Sequence, residues 1–189
     1  SYPAIVGVSN LIQLWRSRLF NLPEIEPQTA RKIGDSTPQK YILGENLSLE
    51  EAQLYMHNSL IILPCDEAGE QDYIRNDDLL NTLVSEESSK PWNMLSAIAA
   101  KGLEFKQVIL YKFGENCPQH TLASSNQSEK IKYFLNKLYV AVSRATEELF
   151  IVDTLKGEQA LWQYASNLTQ LQNLIPNYLA RNKKWENKI

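Results

Sequence analysis

The chain has 189 residues, 43% of them hydrophobic, and a formal net charge of -3 at pH 7. The length allows one sizeable domain whose core needs no disulfide bonds, and the apolar content is ordinary for a soluble globular protein. A weak negative charge does not indicate a nucleic-acid-binding protein, although it leaves room for a local basic groove.

The sequence shows no sign of disulfide bonds, a membrane segment or a signal peptide. Its two cysteines, Cys65 and Cys117, are far apart and lack metal-ligand spacing, so we expect reduced thiols, no metal site and a cytoplasmic protein. Apolar runs fall short of the roughly 20 residues that a membrane helix needs, so no membrane partner is expected. The first residues include neither Met nor a positive segment, which predicts no signal peptide and fits a fragment of a longer parent.

The first part of the chain predicts alternating helices and strands. Apolar residues at helical spacing indicate a helix over 5–19, and a proline-containing stretch over 21–38 indicates a loop. A short strand is predicted at 40–43. Ser48 followed by Glu51 is a capping-box signature, which starts a helix that runs to about residue 57. The apolar run at 59–64 is typical of a strand buried on both faces of a parallel sheet.

The pattern continues in the second part. Residues 66–90 are acidic and polar, with one helix-like patch at 77–83, and strands are predicted at 94–98, 107–111 and 149–152. A loop at 115–127 precedes a helix over 128–145, which has one apolar stripe formed by Ile131, Leu135, Leu138 and Val142. Short helices are predicted at 158–165 and 168–174. The tail at 181–188 has the composition of a nucleic-acid-contacting segment, but we favour a solvated basic tail.

Strands that alternate with helices predict an α/β fold with a mainly parallel sheet. Two of these strands are separated by the polar loop Lys101-Gly102-Leu103-Glu104. Loops at the carboxyl ends of parallel strands form the ligand crevice, so we expect this loop there. Gly102 permits backbone conformations that other residues resist, Glu104 can accept hydrogen bonds from two ribose hydroxyls, and Lys101 can offer a mobile charge to phosphates. The alternative is a charged surface turn.

Arg144 is the second candidate. It lies two residues beyond Val142, about 200° around a helix of 3.6 residues per turn, so its side chain is predicted to point away from the apolar stripe. An arginine near a helix end can reach a phosphate on a neighbouring domain. The alternative is a solvated arginine that interacts favourably with the helix dipole.

Residues 99–105 with the apolar run at 108–110, and residues 137–145, resemble motifs V and VI of the UvrD/Rep-type superfamily 1 helicases. The resemblance implies the second of two RecA-like domains, a three-layer α/β sandwich of the P-loop NTPase fold. It is strong over 94–153 and weak over 1–66. We divide the chain into a RecA-like helicase C-terminal domain at 1–154 and a helical extension with a basic tail at 155–189.

The resemblance also implies roles for individual residues. Arg144 matches the catalytic arginine finger of motif VI, which is directed at the terminal phosphate of ATP. Lys101, Gly102 and Glu104 would bind ATP with Mg²⁺, together with Tyr2 in a segment that resembles motif IV. Ser96 stands where the family has a threonine that contacts the DNA backbone, and a hydroxyl that caps a strand end is an equal alternative.

Two positions depart from the family pattern. Pro3 stands where motif IV has an arginine that touches the terminal phosphate, and Ile98 stands where motif V has a histidine. The large domain that UvrD-type helicases insert before motif V has no room here. These departures favour a rival interpretation, a degenerate helicase-like domain that acts as a non-catalytic protein- or nucleic-acid-binding module.

The missing motifs decide the predicted activity. The sequence contains no Gly-x-x-x-x-Gly-Lys-Ser/Thr phosphate loop, and phosphoryl transfer requires both a phosphate cradle and a magnesium site. We therefore expect a chain that is inactive alone. It would supply nucleotide and single-stranded DNA contacts to an N-terminal ATPase domain of the same parent helicase, with RNA as an alternative to DNA. A nuclease is disfavoured because the sequence shows no clustered acidic site with a nearby lysine.

Overall fold

A computed structural model of the protein describes residues 2–19, 23, 26–34, 38–84, 93–118 and 125–162. The predicted helix at 168–174 and the basic tail lie outside these residues. Within them, one sheet contains five strands: β1 (Gln39–Ile42), β2 (Leu60–Leu63), β3 (Met94–Ser96), β4 (Phe105–Tyr111) and β5 (Ala145–Asp153). The strand order is β1-β5-β4-β2-β3, and every neighbouring pair is parallel.

Helices cover both faces of this sheet. Two long helices, α1 (Pro3–Leu19) and α5 (Ser125–Val142), pack together on one face. Three shorter ones, α2 (Leu49–Met56), α3 (Glu70–Asn76) and α4 (Asp78–Leu83), cover the other. This arrangement confirms the predicted RecA-like three-layer α/β fold.

Strand β2 joins the two halves of the core. Its four residues are fully buried, and successive side chains alternate between the two faces. Leu60 and Ile62 pack with α1 and α5, whereas Ile61 and Leu63 pack with the shorter helices. Burial of each such side chain stabilises the fold by about 1.5–3 kcal/mol, which explains why the strand reads as a continuous apolar run.

Local sequence signals fix the starts of two helices. Pro3 occupies the first turn of α1, where its missing N–H would have no helical partner in any case. At α2 the predicted capping box is confirmed: the Glu51 N–H donates to Ser48 Oγ at 3.2 Å, and the Ser48 N–H donates to Glu51 Oε2 at 3.0 Å. These hydrogen bonds hold the pKa of Glu51 below its ordinary value.

Several boundaries differ from the predictions. Helix α3 was not predicted, because only Glu70 and Ile74 of its seven residues are buried. Strand β5 begins four residues before the predicted 149, since its first part is polar. The helix predicted to end at 145 ends at Val142, and the strand predicted at 94–98 ends at Ser96.

The region after β5 continues the same core. Helix α6 (Leu155–Gly157) is a single turn, and a π-helical turn follows over Glu158–Trp162. Leu161 and Trp162 are buried in the cluster that α1 and α5 form with the sheet. The division proposed after residue 154 therefore falls within continuous packing in the described residues.

Candidate functional site

Two consecutive turns shape the connection between β3 and β4. The Lys101 N–H donates to the Ile98 carbonyl at 3.0 Å, and the Leu103 N–H donates to the Ala100 carbonyl at 3.1 Å. Gly102 is the third residue of the second turn and has φ +86, as a type II turn requires at that position. A Cβ added to Gly102 would meet nothing within 4 Å, so the backbone conformation, and not lack of space, explains the glycine.

This connection ends at the opposite side of the sheet from the predicted crevice. It leaves the carboxyl end of β3 after Ser96 and reaches the amino end of β4 at Phe105, and both strands run parallel to β2. Phe105 is paired with Ala145, the first residue of β5. The predicted carboxyl-end position is therefore wrong for residues 101–104, which lie with Arg144 at the amino-terminal edge of β4 and β5.

The two sequence stretches contact each other directly at this edge. The Phe105 N–H donates to the Arg144 carbonyl at 2.9 Å. In the other direction, Arg144 Nη1 donates to the Leu103 carbonyl at 3.1 Å. The loop and the arginine, 41 positions apart in sequence, therefore form one structural unit.

Arg144 lies in the turn after α5 and is half-buried. Its Nε donates to the Val140 carbonyl at 3.1 Å, and its Nη2 donates to Ser143 Oγ at 2.9 Å. With the bond to Leu103, three of the five guanidinium N–H groups are used within the described residues. The bond to Val140 satisfies a carbonyl of the last helical turn. This contact is expected if Arg144 only stabilises the end of the helix, which is the alternative to a role in phosphate binding. Two N–H groups are left for another acceptor.

The loop itself presents its functional groups to solvent. Lys101, Gly102 and Glu104 are exposed, and within the described residues neither charged side chain has a hydrogen bond or ion pair. Two apolar side chains flank them, because Ile98 is 45% exposed and Leu103 is 42% exposed. This surface combines charges that have no partner in the described residues with exposed apolar side chains.

Tyr2 lies at the start of α1, in a different part of the same sheet edge. Its half-buried ring lies over Gly34, where an added Cβ would be 2.9 Å from the ring, and Lys32 Nζ is 4.8 Å from the ring centroid. With Gln39 of β1 and Glu147 of β5, Tyr2 lines a cleft of about 270 Å³. No hydrogen bond between described residues joins Tyr2 to Arg144, so the structure does not link the predicted motif IV residue directly to the other two motifs.

Ser96 is fully buried at the carboxyl end of β3. Its Oγ accepts the Ala99 N–H at 3.3 Å, and its carbonyl accepts the Ala100 N–H at 3.0 Å. A side chain with no exposed surface does not reach a phosphate in this conformation. The geometry therefore favours the alternative role of the hydroxyl, which is to cap the strand end.

Residues 72–156 match the family model described as the UvrD-like helicase C-terminal domain. This segment, a little under half of the chain, is therefore similar to the C-terminal domain of UvrD-like helicases. The match includes both the loop at 101–104 and Arg144, and it confirms the resemblance inferred from their sequence. No curated protein matches the chain.

Two features are absent from the residues that the structure describes. None of the helices there combines the length and the apolarity that crossing a membrane demands. Groups of three or more His, Cys, Asp or Glu residues that could hold a metal ion are likewise absent from the described residues.

Sequence reasoning missed the Leu103 carbonyl as a partner of Arg144, because a backbone acceptor leaves no signal in residue type.

Proposed function

We propose that this chain is the second RecA-like domain of a UvrD-like motor and completes an ATP site with an N-terminal ATPase domain of the same parent chain. The observation that supports this most is the Arg144–Leu103 hydrogen bond, which joins the two helicase motifs at one sheet edge. Beside that contact, Lys101 and Glu104 are exposed without partners in the described residues. Single-stranded DNA as the parent's substrate rests on the family match alone.

The side chains at this edge suit the parts of a nucleotide. The Glu104 carboxylate would accept hydrogen bonds from the ribose hydroxyls, and Lys101 would place a mobile charge near the phosphates. The two remaining N–H groups of Arg144 would donate to the terminal phosphate as its negative charge spreads over the oxygens. Bonds to Leu103 and Val140 hold the guanidinium, so little reorganisation is needed.

Magnesium would be held mainly by the missing domain. The loop at 101–104 offers one exposed carboxylate, Glu104, and the described residues form no metal-binding cluster. When bound, Mg²⁺ neutralises charge on the phosphate oxygens. The residues of this chain would contribute the ribose contact, the loop position and the arginine.

The test is substitution of Arg144 in the full parent chain. Arg144→Ala is expected to reduce kcat for ATP by about 10³-fold or more, the range that arginine fingers contribute in phosphoryl transfer. Arg144→Lys should rescue poorly, because a point charge lacks the planar fork. Nucleotide affinity should fall less than kcat, since most binding would come from the phosphate loop of the other domain.

The matched control is Lys106→Ala. Lys106 is a nearby cation whose side chain is 80% exposed, and among the described residues it forms one ion pair, with Glu147 at 3.6 Å. Its loss should leave turnover unchanged, and circular dichroism should show both variants folded. A folded Arg144→Ala protein with near wild-type turnover would contradict the proposal, as would ATP hydrolysis by the isolated 189-residue chain.

Two observations favour the rival, a non-catalytic binding module. Arg144 already uses three N–H groups within its own domain, and Ser96 is buried away from any DNA phosphate. Under this rival, Arg144→Ala lowers the stability of the module and leaves ATP turnover by the parent unchanged. The same pair of measurements therefore separates the two functions.

A further inference from the structure

A buried carboxylate lies at the carboxyl end of β3, where the connection that carries Lys101 and Glu104 begins. Glu70, the first residue of α3, is 2% exposed, and its Oε1 accepts the Ser96 N–H at 2.6 Å. Ser96 is the last residue of β3, which is an edge strand, so no other strand in the described residues supplies a partner on its outer side. Glu70 precedes the matched segment at 72–156 and belongs to neither helicase motif.

The Ser96 amide needs an acceptor at this point. The residue is fully buried, so water is not at hand, and a buried N–H without a partner costs about 1–3 kcal/mol. A neutral amide side chain would satisfy that requirement. A carboxylate forms a shorter and stronger charge-assisted bond, and the 2.6 Å separation is in keeping with one. Such a bond holds the end of β3 more firmly than strand pairing alone would.

Hydrogen bonds continue from Ser96 into the site. Its Oγ and its carbonyl accept the N–H groups of Ala99 and Ala100, which fixes the first turn of the loop. The Ala100 carbonyl then accepts the Leu103 N–H, and the Leu103 carbonyl accepts from Arg144. Each step is a hydrogen bond of 3.3 Å or less, and the series runs from Glu70 to the guanidinium without interruption.

We propose that Glu70 is a positioning residue, which fixes the carboxyl end of β3 and thereby the loop that presents Lys101, Glu104 and the acceptor of Arg144. It touches neither nucleotide nor DNA. Its contribution to turnover rests on the proposed function, whereas its contribution to loop geometry does not. Errors of about 1 Å in such placement can cost about 10²-fold in rate.

The first experiment measures loop geometry in the isolated chain by residue-resolved amide hydrogen exchange. Glu70→Ala should accelerate exchange at Ser96, Ala99 and Leu103 by about tenfold or more, while β4 amides such as Ile109 change little. Glu70→Gln keeps an acceptor oxygen and should restore most of the protection. The control is Glu67→Ala, an exposed carboxylate one turn earlier.

The second experiment measures ATP turnover in the full parent chain with the same three variants. Glu70→Ala should lower kcat by about tenfold, with substantial rescue by Glu70→Gln and no effect of Glu67→Ala. If Arg144→Ala leaves turnover unchanged, the proposed function fails, but the exchange measurement still decides the role of Glu70.

The outcomes separate a positioning role from a merely structural one. A folded Glu70→Ala variant with unchanged exchange at Ser96 and Leu103 overturns the proposal, as does uniform acceleration across the sheet. If Glu70→Ala does not fold, Glu70→Gln decides: retained protection at Ser96 supports the hydrogen-bond role, and lost protection in a folded protein overturns it.

Discussion

The two edges of the parallel sheet differ in how they use charged side chains. At the amino-terminal edge, Lys101 and Glu104 are exposed and have no partners in the described residues. At the carboxyl-terminal edge, Asp77, Glu70 and Asp153 are largely or fully buried in hydrogen bonds to the protein itself. The carboxyl edge is where ligands usually bind in such sheets, so the difference shows that position in a fold does not by itself identify a site.

Asp153 illustrates the carboxyl edge. Its carboxylate accepts four N–H groups: those of Gly114 at 2.6 Å, Glu115 at 3.2 Å, Thr154 at 2.9 Å and the Trp162 indole at 2.7 Å. Burial raises its pKa, and the four donors act in the opposite direction. The side chain therefore joins the end of β5 to the segment after β4 and to the π-helical turn at Glu158–Trp162.

Asp77 is a second internal acceptor at this edge. It takes hydrogen bonds from Lys112 Nζ at 2.6 Å, from the Tyr111 hydroxyl at 2.8 Å and from the Leu80 N–H at 3.0 Å. Lys112 adopts a left-handed backbone conformation with φ 49, which costs a non-glycine residue energy. Its pairing with Asp77 stabilises this turn from within, so we expect the carboxyl edge to contribute stability and the amino edge activity.

The largest expected effect tests the stabilising edge. Asp153→Ala leaves four N–H donors without their acceptor and should lower the free energy of unfolding by about 3 kcal/mol, although loss of a buried charge offsets part of the cost. Asp153→Asn can serve only some of the donors and should be intermediate. Chemical denaturation of the isolated chain measures both.

Glu148→Ala is the control for this series. Glu148 lies on the same strand but is exposed, and its carboxylate accepts only from Gln107 in the described residues. Its loss should cost less than 1 kcal/mol, as exposed polar contacts generally do. Equal effects at 153 and 148 would remove the distinction between the two edges.

Residue patterns predicted most of the fold because most of its elements bury apolar side chains. Strand β2 is fully apolar, and the cap of α2 depends on residues only three positions apart. Helix α3 escaped prediction because one of its two buried residues is Glu70, a charged side chain whose partner lies 26 positions away. The spacing of apolar residues cannot reveal a buried charged side chain whose burial is made favourable by a hydrogen bond to a residue far away in the sequence.

The candidate site was predicted in part. Motif resemblance brought the loop at 101–104 and Arg144 into one site, whereas the general rule for ligand sites in parallel sheets assigned the loop to the carboxyl edge. The reason is that β3 has only three residues and the following eight cross the sheet as turns. For Ser96 the sequence left a DNA contact and a strand-end cap as equal alternatives, and the burial of Ser96 beside Glu70 of α3 favours the cap.

A smaller effect should separate stability from activity at two glycines. Gly102 and Gly44 both have positive φ, +86 and +82, and an added Cβ meets nothing within 4 Å at either position. Alanine at either site should therefore destabilise by a similar amount, about 1 kcal/mol, through backbone strain. Only Gly102→Ala should also lower ATP turnover in the full parent chain, by several-fold. Equal turnover in the two variants would contradict a functional amino edge.

The smallest expected effect is the change that the buried charge of Glu70, at the carboxyl edge, makes to the thiol of Cys65. Burial, with the charge of Glu70 as the next cause, raises the pKa of this thiol from 9.0 to about 11. The folded thiol ionises at higher pH than the unfolded one. Any stability linked to it is therefore present below pH 9.0 and lost as the pH rises towards about 11.

The alkylation rate of Cys65 separates the ionisation of this thiol from the titration of other groups at alkaline pH. In a Cys117→Ser background, Cys65 should react at pH 8 about 10²-fold more slowly than an ordinary thiol of equal access, because reactivity follows the thiolate fraction. Glu70→Gln should lower the pKa and raise the rate several-fold, while Glu67→Gln should leave it unchanged. Since Glu70→Gln keeps the acceptor for Ser96, a faster reaction with undisturbed exchange at Ser96 reports charge alone. An unchanged rate would show that Glu70 is not ionised, and the charge-assisted bond that fixes β3 would lose its physical basis.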